Sequence, residues 1–407
     1  MKSIIYTLQT KFKNERRDEV YVLSRFLKRR RLELGKTLDE VSDGVCSTSY
    51  LSKIENCLVE VSEVYFSMLF EKLDLDYEQV LEKRKVPIFP NIIKAYLLKD
   101  LDYLKQKVNV FCKSNSYCDT EIELLVTLYN LLCDNFHEVA ISLKKIDQVH
   151  NSLIREELEL LGLISCLYNY KTNQLKGLAD EVSSLTNLMN KEDTIYVAFL
   201  DLSLDIYFDT GRVAKFLETF DLLQNSQFGL AHPEVVNRHL LQKYFLLSLE
   251  DNFSLVTKLT KVVDRFENDV HTYNYYYAIG LIRENKFYEA YQLLSKEYTT
   301  IENLTLMAHC VDQLGEDSKQ AEFLEYLSDL VYIKEGPYYD YLEFLRLKFE
   351  KYSYSHLYIY LKSCISNYEE HSNIWVFKAL RNNFYKLAFE LGKYKEAVKF
   401  SMINWKD

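Results

Sequence analysis

Two stretches far apart in the chain repeat one another in outline: YYYAIGLIRENKFYEAYQLLSKEY at Tyr275–Tyr298 and NFYKLAFELGKYKEAVKFS at Asn383–Ser401. Each runs through one apolar helical segment, a short polar turn, an aromatic residue, then Glu-Ala and a second helix. A small Ala between paired helices permits close approach, and such a unit buries its apolar face only against a neighbouring copy. With Phe287 and Tyr394 as the marker aromatics, weaker equivalents fall at Tyr103, Phe136, Leu175, Val213, Phe253, Ser318 and Tyr354, at gaps of roughly 31 to 40 residues. About nine helix pairs are therefore expected from Ile92 to the end. Only 10 Gly and 4 Pro in 407 residues argue against an all-β fold, which needs many turn formers.

The unit resembles a tetratricopeptide repeat, and that resemblance implies a right-handed TPR-like helical-repeat solenoid over residues 92–407 in an all-α chain. No run approaches the roughly 18 apolar residues of a membrane span. The N-terminus lacks the apolar core of a signal peptide, so a cytoplasmic protein with no membrane partner is expected. The 8 Cys are scattered without a C-x-x-C pair and read as reduced thiols. The 8 His do not cluster with them, and no metal site or cofactor is expected. No phosphate-binding Gly loop, G-x-S-x-G or H-E-x-x-H appears, so no catalytic residues are assigned and the chain is not expected to be an enzyme.

The N-terminal part differs from this body. Residues 1–86 carry 16 Lys and Arg against 15 Asp and Glu, while the remainder carries 34 against 45. An acidic body repels nucleic acid, so any DNA contact is confined to the N-terminal part. Within it, SDGVCSTSYLSKIEN (Ser42–Asn56) reads as helix, turn and helix. Gly44 takes the φ > 0 conformation of the turn, and Ser47 or Thr48 supplies an oxygen to cap the second helix. Leu51 and Ile54 point inward on that helix. A helix with a small, polar first turn enters a major groove and offers hydroxyls and amides to base edges. The helix before it, 19–34, has Val22, Phe26, Leu27 and Leu32 as apolar positions and Gly35 as its stop. Arg25, Lys28 and Arg29 on it are candidate phosphate contacts. Thr37 caps the short helix that follows, and Ser62 caps a fourth.

The segment Phe26–Asn56 resembles the phage-repressor (Xre-type) helix-turn-helix. It is similar in particular to the form in the Rgg/PlcR/PrgX group of Gram-positive peptide-pheromone regulators. The family positions fall on Arg31, Gly35, Thr37, Val41, Ser47, Leu51, Ser52, Lys53, Ile54 and Glu55. The resemblance implies a structural ion pair between Arg31 and Glu55, and DNA contacts from Thr37, Ser47, Thr48, Ser49, Tyr50, Ser52, Lys53 and Asn56. Two positions depart from the pattern. Leu38 stands where the family usually has Gln, and Cys57 where it has Gly.

The expected domains are an N-terminal arm or helix (1–18), a five-helix helix-turn-helix domain (19–85), a linker (86–91) and the repeat domain (92–407). Pro87 and Pro90 each disfavour helix at the preceding residue, which predicts an extended linker. Within the repeats, the run Tyr273–Tyr277 covers every face of a helix, so one or two of its rings must face a groove or solvent. Asn amides pair with both polar groups of a peptide backbone. The resemblance implies such a role for Asn residues of the body, and placement suggests Asn237, Tyr244, Asn274, Tyr277 and Asn303 as a peptide-binding set. The resemblance thus implies a homodimeric, cytoplasmic transcription regulator whose partners are operator DNA and a short signalling peptide. The alternative expectation is a protein–protein adaptor with a degenerate head that does not read DNA.

Overall fold

The computed structural model describes residues 18–59, 61–77, 89–113, 120–147, 153–250, 254–267, 269–296, 300–328, 336–367 and 374–401. Among them every regular element is helical. The residues group into two compact units, 1–202 and 203–407.

The first unit begins with α1 (Asp18–Glu33), α2 (Leu38–Ser42), α3 (Thr48–Glu55) and α4 (Glu63–Glu71). Their shared core is Leu23, Leu27, Val41, Leu51, Ile54, Phe66, Leu69 and Phe70, all buried. Leu32, expected inside, is 60% exposed. The inward stripe of α1 advances by four residues, from Leu23 to Leu27 to Arg31, and Leu32 lies one step off it. Residues 1–17 of the expected arm (1–18) and all but the start of the fifth head helix lie outside the described residues. Gly44 has φ 72°, as the turn between α2 and α3 requires.

The remaining helices come in pairs. They are α5 (Phe89–Leu97) with α6 (Leu101–Lys113), α7 (Thr120–Leu132) with α8 (Phe136–Asp147), and α9 (Arg155–Lys171) with α10 (Leu178–Thr186). Then follow α11 (Thr194–Asp209) with α12 (Val213–Asn225), a short α13 (Gln227–Ala231), and α14 (Pro233–Glu250) with α15 (Leu255–Leu259). Last come α16 (Val270–Arg283) with α17 (Phe287–Leu294), α18 (Ile301–Leu314) with α19 (Asp317–Ser328), α20 (Pro337–Phe349) with α21 (Tyr354–Asn367), and α22 (Ile374–Glu390) with α23 (Tyr394–Ser401). Phe136, Val213, Phe287, Tyr354 and Tyr394 each open a second helix, and Tyr103 and Ser318 sit in its first turn. Leu175 lies just before one, and Phe253 lies outside the described residues. In the second unit the first helices pack in series, α14 on α16, α16 on α18, α18 on α20 and α20 on α22.

One backbone device recurs between paired helices. A single residue takes the left-handed conformation, at Lys99, Asp134, Asn173, Gly211, Asn285, Gly315, Lys351 and Gly392. At seven of these, the next residue donates its N–H to the carbonyl five positions back: Asp100 to Ala95, Asn135 to Asn130, Gln174 to Asn169, Arg212 to Tyr207, Lys286 to Leu281, Tyr352 to Leu347 and Lys393 to Ala388, at 2.8–3.2 Å. This is a Schellman closure, which satisfies the last carbonyls of one helix while reversing the chain into the next. It explains how connections of a few residues suffice with so little glycine.

The last residues expected in the linker, 89–91, are helical. Helix α5 already starts at Phe89 and carries Pro90 in its first turn, where a missing N–H leaves no hydrogen bond unmade. Residues 86–88 lie outside the described residues.

Candidate functional site

The outer face of α3 is the first candidate. Ser47 occupies the N-cap and accepts the Tyr50 N–H at 3.1 Å, so the cap falls to Ser47 while Thr48 begins the helix. Leu51, Ile54 and Glu55 are buried, whereas Ser49 and Lys53 are exposed and Thr48 and Ser52 half-exposed. Tyr50 turns partly inward and meets the Tyr65 ring edge-on at 5.8 Å.

The orientation of α3 is set by charge. Arg31 Nε and Nη2 donate to the two carboxylate oxygens of Glu55 at 2.6 and 2.8 Å, and Nη1 donates to the Lys36 carbonyl at 3.1 Å. The Glu55 hydrogen bond, opposed by burial, holds the Arg31 guanidinium above its ordinary range. A bidentate pair in a buried setting fixes one geometry more than it adds stability.

Several other expected DNA contacts are engaged within the chain. Thr37 is held in a capping box: its N–H and hydroxyl donate to Glu40 Oε2 at 2.6 and 2.9 Å, and it accepts the Glu40 N–H. Asn56 is the C-cap of α3, and its amide donates to the Ser52 carbonyl while accepting from Lys28 Nζ at 3.0 Å. Arg29 pairs with Glu33 at 3.0 Å one turn on. Arg25 is corrected outright. Both of its terminal nitrogens bond the Glu157 carboxylate at 2.7 Å, and its side chain is 12% exposed. It therefore joins α1 to α9 rather than facing solvent. Phe26 and Cys57 pack on Ile154 beside it.

The two departures from the family pattern have structural correlates. Leu38 packs against the head core, an apolar role that Gln would fill poorly. Cys57 sits at φ 59°, the left-handed conformation that favours Gly, and its side chain is used against Ile154.

The second candidate is a pocket of about 380 Å³ in the unit 203–407. Its floor is an aromatic triad, with Phe208 5.9 Å from Phe245 and 6.4 Å from Tyr276 between ring centroids. Tyr275 stands beside Tyr276 and its hydroxyl meets that of Tyr338 at 2.7 Å. Burial pushes the Tyr275, Tyr276 and Tyr338 hydroxyls well up, so they stay protonated and neutral. Polar lining comes from Asp209, Gln242, His271, Thr272, Thr300, Glu302 and Asn303.

Of the residues expected to hold a peptide, the pocket includes Asn303 alone. Asn274 and Tyr277 lie on α16 but off the face that carries Thr272, Tyr275, Tyr276 and Ile279. Tyr277 instead stacks on Tyr273 at 5.7 Å. Asn237 and Tyr244 lie on α14, which lines the pocket through Gln242 and Phe245. Within the Tyr273–Tyr277 run, the two rings on the pocket are Tyr275 and Tyr276. Asp209 and Glu302 were not anticipated, because isolated acids on helices give no sequence signal. No described helix is long and apolar enough to cross a membrane, and no group of three His, Cys, Asp or Glu among the described residues is placed to hold a metal ion.

No family model matches the chain, and no curated protein matches it. Among solved structures, the chain aligns with the crystal structure of Bacillus thuringiensis PlcR in complex with the peptide PapR7 and DNA. The alignment covers 92% of this chain and 98% of that one, at 14% identity and a TM-score of 0.22. A TM-score of this size does not establish a shared architecture.

Proposed function

We propose that this chain is a DNA-binding transcription regulator controlled by a short peptide. The observation that carries the first half is the setting of α3: capped by Ser47, locked by Arg31 and Glu55, with Ser49 and Lys53 outward. A helix held this rigidly by its inner face and polar on its outer one suits a major groove. The pocket between α11, α14, α16, α18 and α20 supports the second half, because it is concave, aromatic and furnished with a few polar groups. The helix pairs continue as a TPR-like, right-handed solenoid, and the protein works in the cytoplasm as a homodimer. Peptide shifts the population toward one conformer and so sets the spacing of two heads on half-sites about one DNA turn apart.

The test is gel retardation of the gene's own promoter fragment by the full chain, with affinity falling steeply as salt rises. Failure to enrich any genomic fragment over random DNA sinks the DNA half. The peptide half fails separately if no short peptide changes thermal stability or DNA affinity.

A second reading, a protein–protein adaptor whose head does not read DNA, draws support from one observation. Arg25 and Arg29 are paired with Glu157 and Glu33, which reduces the positive charge available for phosphates, while Lys28 is held by the neutral Asn56 amide. Replacing Ser49 and Lys53 by Ala separates the two: regulation disappears for a DNA reader and persists for an adaptor.

A further inference from the structure

The pocket in the unit 203–407 has a definite electrostatic sign. None of the described residues lining it is Lys or Arg, two, Asp209 and Glu302, are carboxylic acids, and His271 adds one imidazole. Both acids act electrostatically on the Tyr275 and Tyr338 hydroxyls, so both bear on the same space. The rings of Phe208, Phe245, Tyr275, Tyr276 and Tyr338 surround that space, and a ring face carries negative charge density that attracts cations. The nearby start of α18 does not reverse this sign. Its Asn303 N–H is already taken by the Thr300 hydroxyl at 3.2 Å, and the side chains it presents at the lining are the Glu302 carboxylate and the neutral Asn303 amide.

We propose that this pocket is a cation-selecting subsite, which receives the positively charged group of the peptide: a free N-terminal ammonium or a Lys or Arg side chain. The proposal rests on the peptide-receptor reading above. At about 380 Å³ the pocket is near the lower end of the roughly 300–1,000 Å³ typical of ligand sites. That is room for one or two residues, with the rest of a peptide lying outside it. The aromatic floor desolvates the methylene stem or the ammonium edge, and the Asp209 and Glu302 carboxylates accept its hydrogen bonds, while the Gln242 amide is already bonded to His239 and Asp205. A phosphate, a carboxylate or an acidic side chain would face the carboxylates of Asp209 and Glu302 with no Lys or Arg among the described lining residues to offset them.

The experiment is selection of a random hexapeptide display library on the immobilised full chain, run in parallel with Glu302→Gln and Asp209→Asn variants whose melting curves match the parent. Selected peptides are then resynthesised with the N-terminus free or acetylated and with Lys or Arg replaced by norleucine or citrulline, and titrated calorimetrically. The expected result is enrichment of a cationic group at one position and a loss of roughly tenfold in affinity when either the peptide's charge or a pocket acid is neutralised. The acetylated and norleucine arms tell an N-terminal ammonium from a side chain. Peptides that bind with no cationic preference, or equally well to the two variants, overturn the inference and leave the peptide-receptor reading standing. No enrichment on the parent chain overturns both.

Discussion

Arg25 and Glu157, 132 residues apart in sequence, hold each other through two parallel hydrogen bonds of 2.7 Å. Glu157 is fully buried and also accepts the Ile154 N–H at 2.9 Å. The carboxylate thus closes the start of α9 and fastens α1 to it. Arg25→Met leaves a buried charge with its main partner gone and is expected to cost about 3–5 kcal/mol. Glu157→Gln in the same chain removes that charge, keeps an acceptor for Ile154, and should restore much of the loss. Urea midpoints of the single and double variants check this. An Arg25→Met midpoint equal to the parent's would show that the pair contributes nothing.

Leu38→Gln brings the head closer to the family pattern and should nevertheless weaken it. The leucine packs on the core that includes Val41 and Leu51, and a half-buried apolar side chain exchanged for an amide costs about 1 kcal/mol. The expected outcome is a lower melting temperature, read by circular dichroism. If the variant gains DNA affinity despite that cost, the amide reaches DNA and the leucine serves stability alone.

Gly44→Ala should destabilise the head by about 1 kcal/mol. A Cβ at Gly44 meets no atom within 4 Å, so the cost arises from its φ of 72° alone. Asn, which tolerates this conformation better, should recover part of the loss. Equal melting temperatures for Gly, Ala and Asn would contradict a left-handed turn there.

His309 gives the chain a pH dependence. Burial, larger than the opposing pull of Asp312, lowers its pKa from 6.5 to about 4, and its Nδ1 lies 2.8 Å from the Tyr341 hydroxyl. The folded chain keeps this ring neutral where the unfolded chain protonates it. Unfolding therefore takes up a proton between about pH 6.5 and 4, and stability falls as pH is lowered through that window, by up to about 3 kcal/mol. Above pH 6.5 the contribution is constant. His309→Gln removes the titration, so denaturation midpoints measured from pH 7 to 4 should fall less steeply than in the parent.

The helix pairs were legible because their markers are chemical: Phe136, Phe287, Tyr354 and Tyr394 are each the first residue of a second helix. The turn before each marker was not. What repeats there is a left-handed backbone, and Lys99, Asp134, Asn173, Gly211 and Lys351 share that conformation without sharing a side chain. Arg25 was misread for a related reason. Local sequence places it among basic neighbours, and its partner is in another helix pair. Pro90 was read as a break, although the first turn of a helix accepts it. In the Tyr273–Tyr277 run, composition gave the presence of a facing ring but not its phase. The helix turns 100° per residue, so an error of one position replaces Tyr276 by Tyr277.

The Tyr275–Tyr338 bridge bears on how the chain comes apart. It ties α16 to α20 across the intervening pair α18 and α19, and the Thr305 hydroxyl adds a hydrogen bond to the Tyr338 carbonyl at 3.1 Å. Repeat arrays held only by adjacent contacts fray unit by unit from their ends. A bond that skips a unit makes three pairs open together, so the amides of α16, α18 and α20 should exchange with deuterium as one cooperative block.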